Sequence, residues 1–167
     1  MKLTVLVCAL NLTILSTTVF SQSDSTPVIT VEGEVVKKLK LTTNDISKFP
    51  QTEVIATDKE GGEHRFRGTL LSVILDSAGV SLGKQLRGEN LMKYVLIKAA
   101  DSYQVVYSLP EIDPEFTSHQ VVLATHIDGG PLPKGEGPFR LITPQDKRPT
   151  RWIRDVTTIK ILISKDD

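Results

Sequence analysis

Cysteine is almost absent from the chain: of its 167 residues, only Cys8 carries a thiol. Because Cys8 lies within an apolar N-terminal run, the remainder can form no disulfide and offers no thiolate to a metal and no cysteine nucleophile. A chain of this length can bury a sufficient core without such crosslinks. Nothing in the composition therefore requires a cofactor.

An excess of one charge is also missing, since 20 Lys and Arg residues stand against 20 Asp and Glu residues. A nucleic-acid-binding domain carries a basic excess over a whole face, so we expect no nucleic-acid partner. Any anion site must then be local. Internal repeats, low-complexity tracts and dividing linkers are absent as well, which predicts one domain.

The one long apolar run is at the N-terminus. A single Lys2 precedes apolar residues up to about Leu15, and small or polar residues follow. This pattern predicts a signal peptide over residues 1–21, a disordered lead-in over 22–27, and export to the periplasm or the cell exterior. The alternative is an uncleaved anchor, because the run to Phe20 approaches the ~20 residues that span a bilayer. After cleavage we expect no membrane span.

Short segments of alternating apolar residues predominate in residues 28–165, which we predict to be the folded domain. The clearest helix is "TLLSVILDSAGV", predicted over about 69–78 with Thr69 as N-cap and Gly79 as the stop. A helical turn or two should also follow Thr43 or Asn44. These elements predict an α+β fold that is mostly β, with mixed sheets and one main helix.

The strongest polar signal is "GPFRLITPQDKRPTRWIRDVTTIKI" at residues 137–161, where six cations accompany only two acidic residues. Arg148, Arg151 and Arg154 recur every third residue, so on a helical turn they would share a face and could hold an anion together. The alternative is a solvated basic edge. In that case the arginine stems cover Trp152 and their charges pair with nearby acids.

Several segments in a fixed order resemble the oxidoreductase molybdopterin-binding domain family, which has the catalytic-domain fold of sulfite oxidase. They are "VEGEV", "FRGTLLSVILDSAGV", "VLIKAADSYQVVYSLPEI", "VVLATHIDGGPLP" and the basic segment. The resemblance implies a sulfite-oxidase-like molybdopterin-binding fold. It also implies that Arg140, Lys147, Arg148 and Arg151 are contacts for the pterin and its phosphate.

Two departures from the family pattern weaken the implied chemistry. The family holds molybdenum by a cysteine thiolate, but the corresponding interval here reads "DKEGGEHR", where Asp58 and Glu60 would be hard oxygen ligands. Relatives exported with their cofactor use a twin-arginine signal, whereas this chain has a single Lys2. We therefore expect no metal site and no cofactor, and we assign no catalytic residue.

Three functional interpretations follow. The leading one is an exported domain of this fold without thiolate-ligated molybdenum, which binds an anionic small molecule, pterin-like or other, or an unidentified exported protein through a basic pocket; it leans away from enzymatic activity but leaves that question open. The second is a molybdopterin-dependent oxidoreductase in which a carboxylate, His64 or solvent replaces the thiolate. The third is a structural or interaction module.

Overall fold

The computed structural model describes residues 26–164. Its strands are β1 (Ile29–Gly33), β2 (Leu39–Leu41), β3 (Thr52–Thr57), β4 (Glu63–Leu70), β5 (Lys93–Ala99), β6 (Gln104–Ser108), β7 (Val122–Ile127), β8 (Gly130–Pro131), β9 (Arg140–Ile142) and β10 (Val156–Ile163). The α-helices are α1 (Thr43–Ile46) and α2 (Leu71–Ser77), and 3₁₀ turns cover Gly83–Gln85, Gly88–Met92, Leu109–Glu111 and Pro149–Arg151. The predicted signal peptide at 1–21, most of the lead-in at 22–27 and residue 165 lie outside the described residues.

Two five-stranded sheets form the framework. The first has the order β2-β1-β10-β5-β6, with β1 and β10 parallel and the other neighbours antiparallel. The second has the order β3-β4-β7-β8, and β9 also pairs with β7. Strand β7 is central, as its apolar sequence "VLATHI" indicates. A mostly β architecture with a mixed sheet is therefore the observed fold class.

The main helix begins later than the sequence predicts. Helix α2 covers Leu71–Ser77, and the residue before it, Leu70, makes no side-chain cap. Thr69 is instead a fully buried residue of β4, and its hydroxyl donates a hydrogen bond to the Pro50 carbonyl at 2.9 Å. The predicted N-cap is wrong because β4 continues its pairing with β7 up to Leu70. The helix ends as expected before Gly79, which has a φ of 75°.

The short helix α1, in contrast, begins earlier than the sequence predicts, by one residue relative to Thr43. Its N-cap is Thr42, and neither Thr43 nor Asn44 fills this role. The Thr42 hydroxyl accepts a hydrogen bond from the Asp45 backbone N–H, while the Asp45 carboxylate accepts one from the Thr42 N–H at 3.1 Å. This reciprocal capping box satisfies two otherwise unpaired donors at the start of the helix.

The second sheet separates two apolar clusters. The larger cluster lies between the first sheet and α2 and includes Leu123 and Leu141, whereas the smaller one contains Phe66, Ile142 and Trp152. Successive side chains of a strand point to opposite faces. Arg140, two residues before Ile142, therefore lies on the side of the smaller cluster. Among residues 26–164, no helix has the length and apolar character needed to cross a bilayer.

Candidate anion-binding site

Arg140 opens strand β9 and is buried, with 5% of its surface exposed. Its guanidinium carbon lies 5.3 Å from the centroid of the Phe66 ring and 6.0 Å from that of the Trp152 ring. The two rings meet edge to face with centroids 6.0 Å apart. Trp152 is fixed in turn because its indole N–H donates to the Thr143 carbonyl at 3.0 Å. Two ordered aromatic rings thus hold the guanidinium in place.

The hydrogen-bond donors of the Arg140 guanidinium are only partly satisfied. Its Nη1 donates a hydrogen bond to Oε2 of Glu136. Its Nε is buried and has no hydrogen-bond partner among the described residues. A buried donor without a partner costs about 1–3 kcal/mol. Burial lowers the pKa of Arg140, although Glu136 opposes this effect, and a guanidinium keeps its proton in proteins. Arg140 is therefore a buried cation with unused donor capacity.

A cavity of about 180 Å³ adjoins this guanidinium and is lined by Lys59, Arg140, Pro149, Trp152 and Arg154. Three of these five residues are cationic. Arg154 reaches the cavity from its rim, where its Nη2 lies 3.4 Å from Oε1 of Glu136. The cavity is smaller than the 300–1,000 Å³ that is typical of sites for drug-sized ligands. Its size and charge suit a small anion.

Larger openings exist elsewhere but lack this combination. A groove of about 490 Å³ lies between α2 and the Gly83–Gln85 turn, and its buried acid, Asp113, accepts hydrogen bonds from the backbone N–H groups of Gly83 and Glu115. A second groove, of about 430 Å³, is lined by exposed lysines of the β2 edge. Neither contains a buried charge with an unused donor.

The β3–β4 hairpin, which supplies Lys59 to the cavity, also carries the candidate metal ligands. Oδ1 of Asp58 accepts hydrogen bonds from the backbone N–H groups of Glu60 and Gly62, at 3.0 and 2.8 Å. Oδ2 of Asp58 lies 3.4 Å from Nε2 of His64, whose Nδ1 lies 2.7 Å from Oδ2 of Asp128. This hydrogen bond to Asp128 raises the pKa of His64. Both oxygens of Asp58 and both ring nitrogens of His64 therefore already have partners.

Metal-ligating side chains do not otherwise cluster in residues 26–164. No group of three His, Cys, Asp or Glu residues there has the arrangement of a metal site. His119 precedes β7 and is exposed, and His126 lies on β7 itself. Glu60 pairs at the surface with Lys59, at 3.2 Å.

The four residues implied by the family resemblance do not converge on one place. Arg140 adjoins the cavity, and Lys147 and Arg148 are exposed on the following loop. Arg151 forms a separate cluster in which its Nε and Nη2 donate to both carboxylate oxygens of Asp146, at 2.9 and 2.7 Å. Its Nε and Nη2 are thus engaged in an ion pair, and Arg151 is not among the residues that line the cavity.

The three-residue spacing of the arginines does not produce a shared helical face. The 3₁₀ turn ends at Arg151, and the buried residues Trp152 and Ile153 separate it from Arg154. Sequence reasoning also missed Lys59, which reaches the cavity from the β3–β4 hairpin. Its one available signal was its position in the interval "DKEGGEHR", which the family resemblance places near the cofactor.

Comparison with known proteins agrees with this architecture. The sequence model described as oxidoreductase molybdopterin binding domain matches residues 18–166. The structure is similar to the sulfane dehydrogenase SoxCD from Paracoccus pantotrophus, with 24% identity and a TM-score of 0.64 over 81% of this chain and 38% of that one. This chain thus spans well under half the length of that relative, and at this identity the likeness concerns the fold. No curated protein matches. The predicted sulfite-oxidase-like fold is confirmed.

Proposed function

The chain belongs to the oxidoreductase molybdopterin-binding domain family, and from this premise we propose that it binds a small oxyanion at Arg140 without a thiolate-held molybdenum. The observation that carries the proposal is the side chain of Arg140, which lines a cation-rich cavity and whose buried Nε has no hydrogen-bond partner among the described residues. An oxyanion that accepted this hydrogen bond would satisfy the donor. It would also meet the positive ends of Lys59 and Arg154 at the rim.

The residues present do not fit a thiolate-ligated metal. The only cysteine of the sequence is Cys8, which precedes in sequence the interval where the family supplies its ligand. Asp58 and His64 lie in that interval, but their polar atoms bond to the hairpin backbone, to each other and to Asp128. A metal would have to break these contacts and accept hard oxygen or nitrogen ligands in place of a soft thiolate. Cavity size supports the same view, because about 180 Å³ suits a phosphate-sized ligand better than a pterin.

Export and a partner in the same compartment complete the proposal. The N-terminal pattern of Lys2 followed by an apolar run supports secretion to the periplasm or beyond. An exported protein partner could present the anionic group as a side chain, since the cavity is open at its rim. We retain this partner as the alternative source of the same ligand chemistry.

Phosphate binding to the purified full chain tests the proposal. At constant ionic strength, calorimetric titration should give a Kd of roughly 0.1–1 mM, which corresponds to about −5 kcal/mol for a few charge-assisted hydrogen bonds. Arg140→Gln should weaken binding at least tenfold. Arg148→Gln is the matched control, because Arg148 is exposed and makes no ion pair among the described residues. Equal affinity of the two variants would reject the site.

Two further variants protect the test against misfolding of Arg140→Gln. Lys59 and Arg154 are both on the cavity rim and exposed, so their glutamine variants should fold normally. Each should weaken phosphate binding severalfold, and raising the salt concentration should weaken it further, because exposed charges are screened. If both variants bind phosphate as tightly as the wild type, the assignment of the site to this cavity is wrong.

The alternative is a molybdopterin-dependent oxidoreductase with a non-cysteine ligand, which family membership favours. Elemental analysis for molybdenum and tungsten, with pterin fluorescence after denaturation, decides between the two functions. Our proposal expects neither metal nor pterin in folded protein from its native fraction. One metal and one pterin per chain would establish the alternative instead.

A further inference from the structure

Glu136 is the carboxylate that contacts both arginines of the proposed anion site. Its Oε2 accepts a hydrogen bond from Nη1 of Arg140, and its Oε1 lies 3.4 Å from Nη2 of Arg154. One carboxylate thus bridges the two guanidinium groups that an anion in the cavity would need. We propose that Glu136 is an internal competitor for this site, which a ligand must displace to bind with full affinity. The inference rests on the proposed function.

A buried guanidinium explains why an internal anion is present. The Arg140 side chain is 6% exposed, and a charge removed from water to this extent needs an opposite charge nearby. Glu136 supplies it in the absence of a ligand. The bridge leaves Nε of Arg140 without a partner, so the carboxylate satisfies the charge of the guanidinium and only part of its hydrogen bonding.

Displacement of Glu136 requires only a side-chain rotation. Its backbone N–H donates to the Pro133 carbonyl at 3.0 Å, and its carbonyl accepts from the Asp155 N–H at 3.1 Å, so the main chain is held on both sides. The side chain itself is 23% exposed and therefore borders solvent. Its second contact, to Arg154, is long and lies at the rim. The carboxylate can leave without moving the strand that carries Arg140.

The charge balance indicates which ligands can displace it. Lys59, Arg140 and Arg154 contribute three positive charges around the cavity; Glu60 pairs with Lys59 at the surface, and Glu136 lies between the two arginines. Without Glu136, two of these positive charges would lack a carboxylate partner. A monovalent anion would only replace a carboxylate that the chain already holds at high effective concentration. A divalent oxyanion brings an additional charge and further acceptors for the unused Nε. The site is thus selective for divalent oxyanions.

Titration of Glu136→Gln with phosphate and with acetate, on the full chain at pH 8 and constant ionic strength, tests this inference. The variant should bind phosphate about tenfold more tightly than the wild type, because the competing charge is gone. It should also acquire acetate binding that the wild type lacks. Glu89→Gln is the matched control, since Glu89 is exposed and has no ion pair among the described residues. Its affinities should equal those of the wild type.

The outcomes separate this inference from the function on which it rests. Wild-type phosphate binding that depends on Arg140, combined with unchanged or weaker binding in Glu136→Gln, would overturn the competition and leave the anion site intact. Absence of phosphate binding in both proteins would overturn both ideas. Glu136→Asp provides a second reading if the glutamine variant does not fold. The shorter side chain withdraws the carboxylate, so phosphate affinity should rise by an intermediate factor.

Discussion

Replacement of Arg151 by methionine should destabilise the protein without changing phosphate affinity. Arg151 donates to both carboxylate oxygens of Asp146 at 2.9 and 2.7 Å and to Oε1 of Glu111 at 3.0 Å. Its guanidinium carbon lies 4.2 Å from the centroid of the Tyr107 ring. Every one of its nitrogens is thus engaged in the protein. The residue therefore joins the loop after β9 to the end of β6.

The contacts of Arg151 set the size of the effect. The two-point pair with Asp146 is half-buried and should contribute about 1.5 kcal/mol. The pair with Glu111 lies nearer the surface and should add about 0.5 kcal/mol, with a similar amount from the ring of Tyr107. Methionine retains the apolar stem but none of the donors. We expect a loss of about 2.5 kcal/mol, which for a domain of this size lowers the Tm by roughly 8 °C.

Urea unfolding followed through the fluorescence of Trp152 measures this loss, because Trp152 is the only tryptophan and is buried. Arg148→Met is the matched control and should change the free energy of unfolding by less than about 0.5 kcal/mol, since Arg148 is exposed. A loss below about 1 kcal/mol for Arg151→Met would refute the structural role. A large loss of phosphate affinity in the folded variant would place Arg151 in the anion site.

Acid should reduce the difference between the wild type and Arg151→Met. Burial favours the neutral form of Glu111, but hydrogen bonds from Ser108 and Arg151 outweigh it and lower the pKa of Glu111 from 4.5. A lowered carboxyl pKa gives stability above the unfolded value, and this stability is lost as the pH falls through the folded value. The difference in unfolding free energy between the two proteins should therefore begin to shrink as the pH falls below about 4.5, by at most the ~0.5 kcal/mol assigned to the Glu111 pair. A constant separation would exclude Glu111 from the cluster.

Three further predictions concern other parts of the fold. The hydrogen bond to Asp128 raises the pKa of His64 above 6.5. The stabilisation from this bond is therefore complete below about pH 6.5 and is lost as the pH rises through the pKa of His64 in the folded protein. Thermal melts of the wild type, but not of His64→Gln, should show this loss. Gly68→Ala should lower the free energy of unfolding in urea by at least about 3 kcal/mol, because the added Cβ would lie 2.0 Å from the backbone carbonyl oxygen of Leu123. Gly130→Ala is the control and should be tolerated, because the atom nearest to its added Cβ is 3.8 Å away. Burial raises the pKa of Tyr107 to about 12, so the alkaline titration of phenolate absorbance should lose its last step in Tyr107→Phe; an unchanged curve would contradict this assignment.

Much of the strand arrangement could be predicted, because alternating apolar and polar residues indicate a strand that is buried on one face only. "TEVIAT" became β3 with its second, fourth and sixth positions more exposed than Val54 and Ala56, and the apolar run before Ile127 became the central strand β7. The start of α2 could not be predicted in this way. Thr69 has the chemistry of an N-cap, but its position is decided by pairing with a strand distant in sequence. Local propensity yields to tertiary pairing at such a boundary.

The site was harder to predict than the fold because the sequence shows charges but not their partners. Arg140 and Arg151 look equivalent in the basic segment, yet one lies over Phe66 beside a cavity and the other pairs with Asp146. The regular spacing of the arginines also fails, since Pro149 starts a turn that ends after three residues. Lys59 enters the site from another hairpin. Only the three-dimensional arrangement shows that Arg140 keeps a donor without a partner among the described residues, whereas each nitrogen of Arg151 donates to a carboxylate.

This separation is also the physical reason for placing function at Arg140. Each nitrogen of Arg151 donates a hydrogen bond to a carboxylate, so its cluster stabilises the fold and needs no ligand to explain it. Arg140 keeps a buried Nε that has no partner among the described residues. Such a donor destabilises the fold by about 1–3 kcal/mol, which is comparable to the stabilisation expected from the Arg151 cluster. A fold gains nothing from such a donor unless something outside the chain accepts its hydrogen bond. Buried polar groups that lack a partner are expected at functional sites. The cavity lined by Arg140 is where the acceptor would lie.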